Sequence, residues 1–307
     1  MIPENITIIE RGNFRWVNIE EPDRAAMKYL KENFAFHVLD YEDITSTTHR
    51  SKIDIYQDYV FIILLVPILN RKTNQMTASE IDFFLGADYL VTIHRGNVPT
   101  FIDMFQLCEA SDQAREQFMS RSGKFLLYKI LQRLLKYCYP LLDEIDAEIE
   151  KIETEIFSSK EQKLLQQILF VRHNIIDMRK IMQPHRATLF RLKKTSLGTQ
   201  EEYEEYFDDL VDYTEEIWNQ LESFKESIDA LQETNESLIS YRINDVIKTL
   251  TVFSAVMLPA GVVASIFGMN ALNIPFHGVV NDFYIFTGLT FLAMLATLLY
   301  IRGKRLL

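Results

Sequence analysis

Residues 249–267 read TLTVFSAVMLPAGVVASIF, a run of nineteen residues without a charged side chain. A second uncharged run of nineteen, FYIFTGLTFLAMLATLLYI, occupies residues 283–301. At about 1.5 Å per residue, each run forms a helix of about 28 Å, close to the roughly 30 Å of a hydrocarbon core. Core helices of soluble proteins are usually shorter and keep a polar face. The two runs therefore predict a hairpin of transmembrane helices, and membrane helices tolerate a proline such as Pro259.

Basic residues flank this hairpin on the side of its two ends, at Arg242, Lys248, Arg302, Lys304 and Arg305. The connection, residues 268–282, contains no Lys or Arg. The positive-inside rule then places both termini in the cytoplasm and the short connection outside. The first ten residues lack the basic region of a secretory signal peptide. These features predict a multi-pass protein of the inner (plasma) membrane.

The composition excludes several classes of protein. Of 307 residues, 48% are hydrophobic, and 43 acidic against 32 basic side chains give a net charge of −11. This acidic balance argues against a nucleic-acid-binding protein, which normally has a basic surface. Cys108 and Cys138 are too few for a disulfide framework or a cysteine-rich zinc site. The chain has no P-loop or GxGxxG motif, and nothing in it predicts an enzyme.

Apolar patterning divides the chain into three parts. Residues 1–100 mix strand-like runs such as KIDIYQDYVFIILLVPIL with a helical stretch after Pro22, which predicts an α/β domain with a mixed sheet. Residues 101–245 repeat their apolar positions every three or four residues and predict a helical stalk domain, and residues 246–307 form the membrane hairpin. The predicted fold is therefore an α+β membrane protein.

Three local features refine this prediction. The polar residues 70–74 predict a hairpin turn. The periodic stretch LLYKILQRLLKYCYPLLDEIDAEIEKIETEIF predicts more than thirty helical residues, and Pro184 ends or kinks the helix that follows. Residues 200–267 contain no proline or glycine before Pro259, and predict a helix of about 100 Å that enters the first span.

Carboxylates crowd the stretches 143–155 and 201–216. Asp209, Asp212 and Glu216 are spaced i, i+3 and i+7, so they share one face of the long helix. One interpretation is a solvated polar face. The other is a surface that attracts divalent cations and offers them oxygen ligands.

A seam of mostly small or hydroxyl-bearing residues follows a 3-4 spacing along the first span. Its members are Asn244, Ile247, Thr251, Ser254, Leu258, Gly261, Ser265 and Gly268. Small residues in membrane helices commonly serve close helix packing. A pore wall is the other interpretation, and because two helices cannot enclose a conduit, it requires several copies of the chain.

The segment YRINDVIKTLTVFSAVMLPAGVVASIFGMN, residues 241–270, resembles the CorA-type magnesium transporter family. It ends in Gly268-Met269-Asn270, directly after the first of two C-terminal spans. Further similarities are HVLDYEDIT followed by KIDIYQDYVFIIL in the first domain, and YFDDLVDYT on the long helix. The resemblance implies a funnel-shaped homopentamer whose first spans line a central channel, continued inward by the stalk helices.

The resemblance also implies roles for individual residues. Gly268, Met269 and Asn270 form an outer mouth that receives hydrated Mg²⁺, an ion that dehydrates reluctantly. Asn244 forms an inner polar ring, and an apolar constriction that gates by dewetting is formed by Ile247, Leu250 and Leu258. On the pore-wall interpretation of the seam, Thr251, Ser254, Gly261 and Ser265 complete the pore lining, although the family often has a hydroxyl residue where this chain has Gly261.

The resemblance further implies cytoplasmic regulation. Asp209 belongs to an intersubunit site where bound Mg²⁺ bridges protomers and holds the channel closed. Asp212, which shares its helix face, is a candidate neighbouring ligand. Loss of the ion leaves the carboxylates repelling one another and favours opening. The resemblance does not assign the ligand from the neighbouring protomer, for which Asp82 and Glu80 are two candidates.

The outer connection departs from the family pattern. Residues 271–282, ALNIPFHGVVND, contain Asp282 as their only acid where the family often has an acidic stretch. Ile274-Pro275 resembles the zinc-transporting branch, and His277 is a softer ligand that suits Zn²⁺ or Co²⁺, although a lone loop histidine is also simply solvated. Three functions stay open: Mg²⁺ uptake driven by the membrane potential, transport of zinc or another transition metal, and a membrane-anchored scaffold or sensor.

Overall fold

The computed structural model describes residues 2–46, 50–96, 98–157, 161–195, 204–269 and 281–304. It divides into two compact units, Met1–Gln232 and Glu233–Leu307. The boundaries predicted near residues 100 and 245 stay predictions.

The N-terminal unit is built on one six-stranded sheet. Its strands are β1 Ile6–Arg11, β2 Phe14–Glu20, β3 Lys52–Ile55, β4 Tyr59–Asn70, β5 Gln75–Gly86 and β6 Tyr89–His94. Their spatial order is β1-β2-β6-β5-β4-β3. The pair β2–β6 is parallel and the other pairs are antiparallel, so the predicted mixed sheet is confirmed.

The predicted hairpin turn lies between β4 and β5. Asn70 ends β4, and its side-chain oxygen accepts a hydrogen bond of 3.0 Å from the Lys72 N–H. Asn74 has a φ of 56°, in the left-handed region that asparagine tolerates better than most residues. The turn therefore follows from local asparagine chemistry.

Ten helices accompany the strands in the described part of the chain. They are α1 Arg24–Asn33, α2 Val38–Thr45, α3 Pro99–Ala110, α4 Asp112–Met119, α5 Gly123–Lys136, α6 Cys138–Glu155, α7 Glu161–Met182, α8 His185–Lys193, α9 Glu204–Phe267 and α10 Asp282–Gly303. The predicted long helix is confirmed as α9, which continues through Pro259; residues 200–203 lie outside the described residues.

The single helical run predicted around residue 137 is wrong. The structure ends α5 at Lys136 and begins α6 at Cys138, with Tyr137 between them. Pro140 lies in the first turn of α6 and has no N–H to donate to the Lys136 carbonyl. The apolar period continues across this junction, and the sequence pattern therefore conceals it.

The sheet is covered on both faces. One face packs Val17, Phe61 and Phe84 into a core with Leu30 of α1 and Ile44 of α2.

The opposite face holds Trp16, which is fully buried. Its ring makes edge-to-face contacts with Phe101 and Phe105 of α3, and its indole N–H donates to the Thr92 hydroxyl at 3.0 Å. This buried donor is thus satisfied, as its desolvation requires.

His185 fixes the start of α8 against β4. It is 2% exposed, and its Nε2 lies 2.8 Å from the Leu65 carbonyl oxygen. Its Nδ1 has no hydrogen-bond partner within the described residues. Burial lowers the pKa of His185 to about 4.

This burial predicts acid destabilisation. The folded-state pKa lies below the unfolded value of about 6.5, so the unfolded chain binds the proton first, and stability falls between about pH 6.5 and pH 4, by up to about 3 kcal/mol. The His185→Gln variant is expected not to show this part of the loss of stability at low pH. The measurement is urea unfolding of the full-length protein in detergent at pH 7 and pH 5, followed by fluorescence of Trp16 and Trp218. A decline as steep in the variant as in the wild type contradicts the prediction.

Candidate ion pathway and cation sites

The seam predicted along the first span is uncovered in the C-terminal unit. All of its members are exposed, namely Asn244, Ile247, Thr251, Ser254, Leu258, Gly261, Ser265 and Gly268, and so is Leu250 beside them. At Gly261, an added Cβ would meet no atom within 4 Å.

The other side of the same helix is half-buried, and Phe267 at its outer end contacts α10. Val252, Val256, Pro259 and Val263 are half-buried, at helical spacing. The rings of Phe267 and of Phe286 on α10 lie 3.6 Å apart, centroid to centroid. At 3.6 residues per turn, this half-buried stripe lies opposite the seam.

Both helices meet the length and hydropathy expected of membrane spans. None of the most apolar window of α9, and 6% of that of α10, is buried inside the chain. Large side chains such as Leu250, Met257 and Leu258 are therefore exposed in the part of the chain that the structure describes. The described structure thus contains the two predicted C-terminal spans.

The tripeptide Gly268-Met269-Asn270 begins directly after the last residue of α9, Phe267. The Gly268 N–H donates to the Ala264 carbonyl oxygen at 2.9 Å, and a Cβ on Gly268 would lie 3.0 Å from that oxygen. Such an approach is tighter than most side chains allow, so glycine suits this position. Met269 is exposed.

Three further predicted site residues belong to the outer end of the spans. Asn270 and His277 lie outside the described residues. Asp282 is the first residue of α10.

Asp209 lies on the part of α9 that belongs to the N-terminal unit, and it is half-buried. Its Oδ2 accepts hydrogen bonds from the Tyr128 hydroxyl and the Gln132 side-chain amide of α5, each at 3.1 Å. The structure therefore fixes this carboxylate by contacts that the sequence pattern did not reveal.

The other two acids of the predicted face differ from Asp209. Asp212 is exposed. Glu216 is exposed as well, and its Oε2 accepts a hydrogen bond of 2.5 Å from the Tyr139 hydroxyl. Neighbouring acids form ion pairs with basic side chains. Lys193 contacts Asp208 at 2.7 Å, and Arg186 contacts Glu215 at 2.8 Å.

The chain belongs to a known family, because the family described as CorA-like Mg²⁺ transporter protein matches residues 11–305. It is a CorA-like protein. Family membership confirms the predicted resemblance and makes the chain a divalent-cation transporter rather than an enzyme.

Relatives of this CorA-like protein cover most of its length. The cobalt/magnesium transport protein CorA of Thermotoga maritima is 26% identical over 271 residues, which are 85% of this chain and 74% of the relative. The solved CorA magnesium transporter of Methanocaldococcus jannaschii has a TM-score of 0.82 at 20% identity, over 96% of this chain and 92% of that chain. The full-length CmaX protein has a TM-score of 0.76 at 17% identity, over 95% and 88%. These structures share the predicted fold: a soluble α/β part, a long helix and two C-terminal apolar helices.

The CorA-like chain also contains an acidic cluster that our sequence reasoning missed. Oxygens of Asp40, Asp43 and Asp54 lie within 4.8 Å of one another. Lys52 already occupies this cluster, with its Nζ 2.5 Å from Asp43 and 2.8 Å from Asp54. Burial disfavours the charge of Lys52, but the two hydrogen bonds outweigh it and raise the pKa of Lys52.

The remaining acid of this cluster is also satisfied. The two oxygens of Asp40 accept hydrogen bonds from Tyr56 at 2.8 Å and from Tyr59 at 2.6 Å. The cluster therefore has the contacts of a structural ion-pair network. Its only signal in the sequence was the paired segments HVLDYEDIT and KIDIYQDY.

The two acids considered as partners of Asp209 differ in access. Asp82 is 3% exposed, its Oδ1 has no hydrogen-bond partner within the described residues, and burial followed by the Glu80 charge raises the pKa of Asp82 well above its usual value. A buried acid whose charged form is disfavoured is a poor cation ligand. Glu80 is half-buried and so is more accessible than Asp82.

Proposed function

We propose that this CorA-like chain is the subunit of a homopentameric Mg²⁺ channel of the inner membrane, gated by cytoplasmic cations bound between subunits. The observation that carries the proposal is the exposed seam on α9, opposite the half-buried side on which Phe267 contacts α10. The CorA relatives named for magnesium and cobalt transport support the choice of ion.

The seam has the chemistry of a narrow water-filled path. Thr251 donates its hydroxyl hydrogen to the Ile247 carbonyl at 2.7 Å, and its oxygen keeps lone pairs to offer to water. Ser254 and Ser265 lie on the same face. If the seam faced lipid, these hydroxyls would have no hydrogen-bond partner outside their own helix. If it faces the seams of other copies, the hydroxyls line a pore with oxygen atoms.

The proposed gate is apolar. Ile247, Leu250 and Leu258 are more than half exposed in the single chain. In a ring of copies they form a constriction that excludes water unless the helices move apart. Asn244 forms the polar ring at the cytoplasmic end, and the outer mouth consists of Gly268, Met269 and Asn270.

The driving force is the membrane potential. With both termini in the cytoplasm, a doubly charged ion moving inward gains about 4.6 kcal/mol per 100 mV. No nucleotide-binding motif is required for such transport.

The proposed regulation uses Asp209, with Asp212 beside it and Glu80 from a neighbouring copy. The described residues around Asp209 leave its Oδ1 without a donor. A divalent cation on this oxygen reduces repulsion among the carboxylates and stabilises the closed assembly.

Zinc transport is the second candidate, because His277 is the only imidazole in the outer connection. The test is ion flux into vesicles that contain the full-length protein, with a dye for each ion and a fixed potential. We expect Mg²⁺ influx to exceed Zn²⁺ influx and His277→Ala to leave Mg²⁺ influx unchanged. Faster Zn²⁺ influx that His277→Ala reduces supports the zinc transporter, and absence of flux for both ions supports an anchor.

A further inference from the structure

The Asp209 carboxylate is held through one of its two oxygens. The hydrogen bonds from Tyr128 and Gln132 both end on Oδ2, and no described group donates to Oδ1. A carboxylate oxygen has two lone pairs, so two donors saturate Oδ2. The hydrogen bonds from α5 therefore occupy Oδ2 and leave Oδ1 available to a ligand.

The two donors form a closed network. The Gln132 amide nitrogen also donates to the Tyr128 hydroxyl oxygen at 2.6 Å, which directs the tyrosine hydrogen toward Asp209. The Lys129 ammonium lies 3.5 Å from the Gln132 carbonyl oxygen, a long contact that agrees with this orientation of the amide.

The tyrosine of this network is itself rigid. Tyr128 is 4% exposed, and its ring lies 4.8 Å from that of Tyr206 and 6.4 Å from that of Phe207. Burial, followed by the hydrogen bond to Asp209, raises the pKa of Tyr128, and the hydroxyl remains a donor.

We propose that Tyr128 and Gln132 are positioning residues that make Asp209 a one-oxygen ligand and thereby favour Mg²⁺ over Ca²⁺ at the regulatory site. This inference rests on the proposed function, which places a cation at Asp209. Mg²⁺ keeps several waters in an octahedral shell and uses few carboxylate oxygens, whereas Ca²⁺ takes six to eight oxygens and often binds a carboxylate through both. Bidentate binding at Asp209 must break both α5 hydrogen bonds, and binding through Oδ1 breaks neither.

The chain offers a matched control at Glu216, seven residues further along α9. Tyr139 donates to Glu216 at 2.5 Å, as Tyr128 donates to Asp209. Tyr139→Phe removes an equivalent hydroxyl from an acid outside the proposed site.

The test is limited proteolysis of the full-length protein in detergent, titrated separately with Mg²⁺ and Ca²⁺. The measured quantity is the ratio of the Ca²⁺ to the Mg²⁺ concentration that gives half-maximal protection. In Tyr128→Phe/Gln132→Met we expect this ratio to fall at least about tenfold. This is the lower end of the loss of metal affinity usually caused by removing residues that orient a metal ligand. Tyr139→Phe is expected to keep the wild-type ratio. A merely structural role lowers the protection by both ions together and leaves the ratio unchanged.

Asp209→Asn separates the inference from the proposal beneath it. If Asp209→Asn abolishes protection while the double variant, folded by tryptophan fluorescence, keeps the wild-type ratio, the regulatory site stands and the positioning role is wrong. If Asp209→Asn retains full protection, the cation does not bind Asp209, and both statements are overturned.

Discussion

Mg²⁺ influx into vesicles is expected to fall at least about tenfold when Asn270 is replaced by alanine, since a hydrogen bond to a charged group contributes about 1.5–3 kcal/mol. Mg²⁺ arrives with its water shell, and a neutral amide oxygen holds that shell without stripping it. Alanine offers no side-chain oxygen. The effect is multiplied in a ring of copies, because every subunit loses the same group.

The matched control for this prediction is Asn273→Ala, which removes the same amide three residues further along the connection. It is expected to leave Mg²⁺ influx unchanged. Size-exclusion elution of both variants reports whether assembly is intact. Undiminished influx in correctly assembled Asn270→Ala vesicles refutes the role of Asn270 as ion selector.

The membrane hairpin could be predicted from sequence because a bilayer imposes a simple rule. A span needs about twenty apolar residues, and both runs satisfy it without reference to any other part of the chain. The turn at residues 70–74 is similarly local, since the Asn70 and Asn74 side chains suit the backbone there. In contrast, the junction at Tyr137 escapes the pattern because the apolar period is the same on both sides of it.

The cation sites depend on contacts between distant residues, which periodicity does not encode. The pattern on α9 predicted that Asp209 shares a face with other acids. It did not predict that Tyr128, 81 residues earlier, donates a hydrogen bond to one of the Asp209 oxygens. Likewise, Asp43 and Asp54 meet around Lys52 only because α2 lies next to β3 in the folded chain. The sequence predicts where carboxylates occur, and the fold decides which ones are neutralised.

Asp209→Lys is expected to abolish the protection of α9 against proteolysis that Mg²⁺ gives the wild type. The substitution replaces an oxygen ligand by an ammonium group, which repels Mg²⁺ and offers it no lone pair. It also occupies the site permanently with positive charge.

The flux expected from this variant follows from the same charge. If bound Mg²⁺ holds the closed assembly, a channel that no longer binds it keeps conducting when internal Mg²⁺ is high, whereas the wild type slows. The measurements are limited proteolysis with and without Mg²⁺, and influx into vesicles preloaded with Mg²⁺.

Glu226→Lys is the control, because it makes the same change of charge at an exposed position of the same helix. Seventeen residues along α9 correspond to about 25 Å, well beyond a Debye length of about 8 Å. This variant is expected to keep the protection by Mg²⁺. Loss of protection in both variants indicates a general effect of charge on the helix, and retention in Asp209→Lys shows that the regulatory cation binds elsewhere.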